Sequence, residues 1–419
     1  MSKKINVSSE ISPLKRVLVH RPDAGIARVS PKRAEELLFD DIVFLPTMQQ
    51  EHDTFRQVLE AFVGKEGVME TEDLLIEALA VDTTFKKEFL DRIVRFEELP
   101  SSAYQLLDDL SPAVLARVLI TGYYEAEDYY LFDPIPNFIF TRDIAVTVND
   151  HIIITRAAKI ARQRENLLTR YIIAAHPDFA DMYRENRVLN LNRRDEFPPS
   201  RKGERVSIEG GDMMIINEDY LLIGTSERTS NHAVKSIADV LFEKEVVSNV
   251  AQVNIPSDRS FMHIDTIFTQ IDKDDIVCYK PIVYDGNASN VVVHRKNGAS
   301  VTYASIKDFY HGEINANMRF IFAGNGISPF QEREQWTDGC NLVAVQPGVG
   351  LTYDRNPKTE IAFREAGYDV ISAADFLKKV KQKKIVPAEL TKTIITFPSG
   401  ELSRARGGSH CMTCPILRE

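Results

Sequence analysis

Near the carboxyl end the chain reads Arg404-Ala405-Arg406-Gly407-Gly408-Ser409-His410-Cys411-Met412-Thr413-Cys414-Pro415. Two glycines let a backbone approach a ligand closely, and a cysteine lies just beyond them. Basic side chains and a histidine nearby favour the thiolate, the nucleophilic form of cysteine. Other readings of the same letters stay open at this point. Cys411 and Cys414 form a Cys-x-x-Cys, which suits a redox pair, although only five residues follow Cys414 and a thioredoxin-like pair needs a following helix. They also make half of a zinc site, but no second Cys-x-x-Cys or His-x-x-x-His completes it. An inert terminal cysteine is the plainest alternative.

Working outward, three further clusters carry chemistry. Met262-His263-Ile264-Asp265, read as a strand, puts His263 and Asp265 on one face, a histidine beside a carboxylate that can move protons. A core histidine satisfied by one hydrogen bond explains the same pattern. Glu209-Gly210-Gly211-Asp212 places two carboxylates around a glycine pair, able to orient a histidine or grip a cation, or simply to make a tight turn. Asn137-Phe138-Ile139-Phe140-Thr141-Arg142-Asp143 reads as an aromatic-rich strand ending in Asp143, a carboxylate suited to a planar cation beside Phe140. The bland reading is a strand leaving for a loop. No Gly-x-Gly-x-x-Gly or Walker-type loop is present, which argues against nucleotide chemistry. Together, one cysteine, one histidine and several carboxylates suit covalent attack on a cationic carbon.

The rest of the chain supplies a frame for these clusters. Short apolar runs, among them Arg16-Val17-Leu18-Val19-His20, His151-Ile152-Ile153-Ile154-Thr155, Val291-Val292-Val293-His294, Leu342-Val343-Ala344-Val345 and Ile394-Ile395-Thr396-Phe397, read as strands. Met213-Met214-Ile215-Ile216 and Tyr220-Leu221-Leu222-Ile223 flank Asn217-Glu218-Asp219 as a hairpin. Helical patterns alternate with them near 48–63, 162–174, 233–242 and 358–365, and a polar helical stretch follows Pro31. The fold class expected is α/β.

Residues 71–130 differ. Phe85, Phe89, Ile93 and Phe96 share a helical face, and Ser111-Pro112 is a helix start with Ser111 as N-cap. This stretch has one glycine, Gly122, out of 20 in the chain, and reads as an all-helical insert between catalytic segments 1–70 and 131–419.

At 419 residues the chain exceeds one average domain and can bury a core without disulfides or metals. Four cysteines fit a reducing, cytoplasmic setting. Met1-Ser2-Lys3-Lys4-Ile5-Asn6 lacks the apolar stretch of a secretory signal. No run nears the roughly 18 apolar residues a membrane span requires. The net charge of -10 argues against nucleic-acid binding. Residues 71–130 hold 13 acidic and 5 basic residues, leaving 48 and 46 elsewhere, so the acidity belongs to the insert.

The four clusters, in their order along the chain, resemble the motifs of the arginine deiminases, and the similarity runs from Leu14-Lys15-Arg16-Val17-Leu18-Val19-His20-Arg21-Pro22 to the tail. The resemblance implies a five-bladed α/β propeller (the pentein fold) with the helical insert, and hydrolysis of L-arginine to L-citrulline and ammonia without metal or organic cofactor. Carried over, Cys411 is the nucleophile, and Asp143 and Asp265 hold the guanidinium. His263 protonates the departing ammonia and then activates water, and Glu209 orients His263. Asp212 supports the Glu-Gly-Gly-Asp motif. Arg162, Arg228 and Arg406 bind the substrate carboxylate with Asn137 as helper, with Glu165 near Arg162 and Phe140 and Gly408 shaping the pocket. His410 belongs to the same tail.

Two positions depart from the family pattern: Ile144 stands where proline is usual, and Ala405 where glycine is common. Cys414 is expected to be structural. Related activities on the same fold, amidinotransfer or hydrolysis of methylarginine or agmatine, and an inactive arginine-binding sensor are the alternatives. A homo-oligomer is neither required nor excluded by the sequence.

Overall fold

The computed structural model describes residues 5–39, 41–81 and 83–419; residues 1–4, which carry part of the expectation about a secretory signal, lie outside them. Among the described residues, five sheets of three or more strands share one construction. In each, two strands form an antiparallel pair, and the second runs on through a helical connection to a strand parallel to itself.

One unit joins the chain ends: Cys414–Arg418 lies antiparallel to Leu14–Val19, and Val68–Glu70 returns parallel after the helix Leu45–Val63. The next has Ala145–Val148 and His151–Ile154, the helix Gln163–Ala175, then Val188–Asn190. A third has Met213–Asn217 and Tyr220–Thr225, the helix Asn231–Glu243, then Asn249–Asn254. A fourth pairs Phe268–Asp272 with Asp275–Cys278 and reaches Arg319–Phe322 by a longer excursion. The hairpin Asn290–Arg295 and Ser300–Tyr303 within that excursion extends the third sheet. The fifth pairs Val343–Gln346 with Val349–Tyr353 and returns, through Pro357–Glu365, to Thr393–Phe397, with Asp369–Ser372 at the edge. Crossovers of this βαβ kind bury parallel strands on both faces. That is why Ile152-Ile153-Ile154 reads as an unbroken apolar run, and why it and Thr393–Phe397 are buried throughout.

The strands expected from the short apolar runs are present, and so is the hairpin. The hairpin turn is set by Asn217, whose Oδ1 accepts the N–H groups of Asp219 and Tyr220, both at 3.0 Å. The polar stretch after Pro31 forms turns instead of the expected helix. Leu37 and Phe39, two apart, are both buried, a spacing that no helix places on one face.

Residues 71–121 form the helices Thr71–Val81, Thr83–Phe96, Ser102–Asp109 and Pro112–Thr121. Ser111 and Pro112 stand at the predicted N-cap and N1, and Gly122, at φ 71°, ends the last helix in the left-handed region. The stretch is not wholly helical, because Tyr123–Tyr124 pairs with Tyr129–Tyr130 in a short ribbon. Phe89 and Ile93 are buried as their spacing implies, whereas Phe85 stays 41% exposed. The buried face shares one core with Phe138, Ile144, Ile152, Leu168 and Ile172, and Phe89 stacks on Tyr171 with ring centroids 4.3 Å apart. No helix among the described residues is long and apolar enough to cross a membrane.

Candidate active site

Each of the five units begins with a tight turn just before its first strand, and these turns converge. They are Thr141–Asp143, Gly210–Asp212, Ile264–Thr266, residues 338–342 and residues 408–413. Hydrogen bonds join them in a closed ring. Asp143 Oδ1 accepts from Gly211 N (3.0 Å), and Asp212 Oδ1 accepts from Ile264 N (3.0 Å). The Asp265 carbonyl accepts from Asn341 Nδ2 (3.1 Å), Asn341 Oδ1 from Cys411 N (3.2 Å), and the Cys411 carbonyl from Arg142 N (3.0 Å). The four sequence clusters therefore meet, though up to 270 residues separate them.

Two local expectations change. His263 and Asp265 do not lie on a strand; His263 caps a 3-10 turn and Asp265 lies within it, and Asp143 closes a 3-10 turn where a strand end was expected. The reason is the ring itself: Ile264 N donates to the Asp212 carboxylate of the preceding turn and Arg142 N to the Cys411 carbonyl, leaving no ladder to join. Glycine is required where turns touch. A Cβ on Gly211 would lie 2.6 Å from His263 Nδ1, and one on Gly408 2.4 Å from the Asn341 carbonyl.

The turns face a tight cleft of about 30 Å³ lined by Asn137, Phe140, Asp143, Arg162, Arg228, His263, Arg406 and Cys411, with Leu38, Arg259, Met262, Thr266 and Ala405. Glu209, Asp265, Asp212 and Gly408 stand behind this wall. Glu209 Oε2 meets His263 Nε2 at 3.0 Å, and His263 Nδ1 is 3.9 Å from Asp143 Oδ1. Asp212 takes Ser226 Oγ at 2.6 Å and so pins two turns together. Asp265 Oδ2 accepts from Cys411 Sγ at 3.3 Å and meets His410 Nδ1 at 2.9 Å, while its buried Oδ1 has no partner among the described residues. His410 Nε2 in turn meets Glu10 Oε2 at 3.3 Å, and Glu10 faces Arg142 at 3.4 Å.

The arginines are placed unequally. Arg162 Nη1 donates to Asp143 Oδ2 at 2.6 Å, and its Nη2 donates to Glu165 at 2.8 Å and to the Asn137 carbonyl at 3.3 Å. The Asn137 side chain itself donates to the Leu37 carbonyl at 2.8 Å. Arg228 lies 3.6 Å from Glu209, with Nε and Nη1 making no hydrogen bond among the described residues. Arg406, at φ 61°, lies 3.3 Å from the ring centre of Trp336, the chain's one tryptophan, and its Nη1 is also unpaired. Ala405 ends a buried 3-10 turn, so the left-handed residue is its neighbour Arg406.

Burial and charge set the protonation states. Burial pushes the Cys411 thiol well above its usual range, and Asp265, Asp143 and Asp338 add to this, so Cys411 rests as a thiol donating to Asp265. Burial opposes charge on His263, but Asp143, Glu209 and Asp212 prevail and raise it to about 10. Burial raises Asp212 to about 6 and Glu165 to about 7. Burial also disfavours ionised Glu209, yet His263, Arg162 and Arg228 hold it well below the carboxylate range. Ligand atoms of Asp143, Glu209 and His263 lie within 4.8 Å of one another, a separation that one cation can bridge; Arg162 already brings a guanidinium to Asp143. A site that draws several buried carboxylates round one small cleft is built for a cationic group. Cys414, in contrast, turns away: its Sγ donates to the Ala145 carbonyl at 3.1 Å, and all four cysteines are free.

The model of the arginine deiminase family matches residues 35–418. The arginine deiminase of Limosilactobacillus fermentum is 35% identical with all of both chains covered, and that of Bacillus thuringiensis 34% identical, also over both whole chains. The chain belongs to the arginine deiminase family. Solved structures share the fold at low identity. The amidinotransferase SxtG from Microseira wollei has a TM-score of 0.54 at 13% identity, covering 99% of this chain and 97% of its own. The product-bound N-terminal domain of ArgZ, a cyanobacterial arginine dihydrolase, has 0.51 at 14%, covering 96% and 97%. A DDAH mutant from Pseudomonas aeruginosa with citrulline has 0.51 at 11%, covering 96% and 99%.

Sequence reading missed Asn341, Glu10 and Arg142, whose signals are not local: each matters through a partner far along the chain. Asp338 and Trp336 sit beside Arg406 and were equally silent, although a lone tryptophan next to a Thr-Asp-Gly turn is a usable cue.

Proposed function

We propose that this chain is an arginine deiminase that hydrolyses L-arginine to L-citrulline and ammonia, with Cys411 as nucleophile. The observation that carries this reading is the convergence of Cys411, His263, Glu209, Asp143 and Asp265 on one buried cleft from four separate turns. The substrate's guanidinium sits between Asp143 and Asp265, whose Oδ1 is an unused buried acceptor. Asp143 now holds the guanidinium of Arg162, so an incoming substrate competes with Arg162 and frees it toward the substrate's carboxylate. Arg228 and Arg406 bring unpaired donors to the same cleft, which Asn137 and Phe140 also line.

The cation offsets the carboxylates that hold Cys411 protonated, and Sγ then bonds to the guanidinium carbon. Asp265 takes the thiol proton as Sγ bonds to carbon, protonated His263 gives its own proton to a terminal nitrogen, the C–N bond breaks and ammonia leaves. The now neutral His263 takes one proton from water, whose oxygen bonds to the same carbon. The C–S bond then breaks, citrulline departs with the new C=O, the remaining hydroxyl proton leaves with ammonia as ammonium, and Asp265 returns its proton to sulfur. Glu209 keeps the imidazole oriented through both halves.

The five repeated units support reading the body, 1–70 and 131–419, as a five-bladed pentein propeller of pseudo-fivefold symmetry, with 71–130 an inserted helical domain. A reducing cytoplasm suits the free nucleophile. Purified protein given L-arginine alone should release citrulline and ammonia in equal amounts, and far less product from agmatine, which lacks the carboxylate. Tight arginine binding without product would overturn the enzymatic reading in favour of a sensor. Equal turnover of agmatine would overturn the carboxylate role of the arginines.

A further inference from the structure

Four turns of the ring bring residues with a place in the reaction just described: Asp143, Glu209 with Asp212, His263 with Asp265, and Cys411. The fifth turn, 338–342, stands in the same position ahead of Val343–Gln346 and contributes Asn341, which is fully buried. Its carboxamide grips the nucleophile from two sides. Oδ1 accepts the Cys411 backbone N–H at 3.2 Å, and Nδ2 lies 3.1 Å from Cys411 Sγ and 3.1 Å from the Asp265 carbonyl. The two ends of a carboxamide are not interchangeable: oxygen only accepts, and NH2 only donates. The contact with a backbone N–H therefore sets the orientation, and sulfur must be an acceptor for Nδ2–H.

The thiol's own proton points elsewhere, toward Asp265 Oδ2 at 3.3 Å. A donor aimed at sulfur gains little from a neutral thiol and much from a thiolate, because hydrogen bonds to charged acceptors are about twice as strong. The carboxylates of Asp265, Asp143 and Asp338 favour the opposite state. Gly408 protects the arrangement, since a Cβ there would press to 2.4 Å on the Asn341 carbonyl and 2.6 Å on its Oδ1. We propose that Asn341 is a further catalytic residue, whose side-chain amide fixes Cys411 Sγ and stabilises the thiolate when it attacks and when it is expelled. It serves sulfur as an oxyanion hole serves oxygen. The inference rests on Cys411 being the nucleophile.

The test follows alkylation of Cys411 by iodoacetamide across pH, located by mass spectrometry, in the wild-type chain and in Asn341→Asp and Asn341→Leu, alongside citrulline kinetics. Both replacements keep the side-chain volume; the first loses the donor, the second loses donor and acceptor. The expected result is an alkylation midpoint raised by about one to two pH units, with kcat roughly 100-fold lower and KM changed only a few-fold. Folded variants whose midpoint matches wild type overturn the proposal, even if turnover falls, because a merely structural asparagine would not move the thiol titration. So does a raised KM with unchanged kcat. Should neither variant fold, the side-chain 15N resonance of Asn341 in the wild-type chain decides: it must shift through the Cys411 midpoint, and a resonance that stays constant there rejects the role. Alkylation needs no turnover, so absence of citrulline from the wild type would sink the deiminase reading without touching this one.

Discussion

The ring of turns and the helical stretch 71–121 are both buried against the same body, yet they are held by opposite physics. In the ring, carboxylates, a histidine, arginines and a thiol are removed from water and held by directional bonds, five of which link one turn to another. In the helices, Leu75, Leu79, Phe89, Ile93, Leu115 and Leu119 fill a shared apolar core, and the acidic residues stay mostly outside. Directional polar contacts tolerate almost no displacement, whereas apolar burial is non-directional and scales with area. The ring should therefore govern chemistry, and the helices should govern stability.

The largest expected effect is at the nucleophile. Cys411→Ser should lower citrulline formation by at least roughly 10⁴-fold while leaving the melting temperature near that of wild type; measurable turnover in that variant would detach chemistry from the ring. On the other side of the comparison, Phe89→Ala removes a buried ring stacked on Tyr171. It should cost about 3–5 kcal/mol in urea unfolding, with kcat within twofold of wild type at temperatures where the variant is folded. A large loss of kcat there would show that the helices tune the site.

His20 sharpens the boundary between the two regions, because it meets Glu70 at 2.9 Å, Asp23 at 3.1 Å and Thr71, the first helical residue, at 2.8 Å. Burial lowers its pKa, but Asp23 and Glu70 overcome this and raise it from 6.5 to about 10. A raised folded pKa contributes stability that is complete below pH 6.5 and lost as pH rises toward 10. Wild type should thus lose more unfolding free energy than His20→Gln between pH 6 and pH 10; equal losses would remove His20 from the joint. The smallest effect is expected at Cys414→Ser, which keeps a donor for the Ala145 carbonyl and should retain most of the turnover. Comparable inactivation of both cysteine variants would revive a Cys411–Cys414 pair.

Much of the site was legible from residue types. Cys411, His263 and Asp143 all face the cleft, and Glu209 and Asp265 each touch one of them, because a nucleophile, an acid–base histidine and carboxylates are rare enough in such spacings to stand out. The local backbone was misread at His263 and Asp143, since strand and 3-10 turn share a short apolar alternation and differ only in where their N–H groups go. Arg162 was legible as a site arginine, but not its present bond to Asp143. Asn341 was invisible, because a single asparagine before Leu342 has no local signature.

The sequence by itself determined the α/β alternation, the helical stretch, its acidity and the chemistry-bearing turns, all of which follow from periodicity and residue type within a few neighbours. Tertiary structure alone decided that five turns close into a ring, that the first and last strands make one unit, and that Asn341 meets Cys411. Those outcomes depend on strand pairings and carboxylate contacts between residues tens to hundreds of positions apart, a range over which no local pattern carries information.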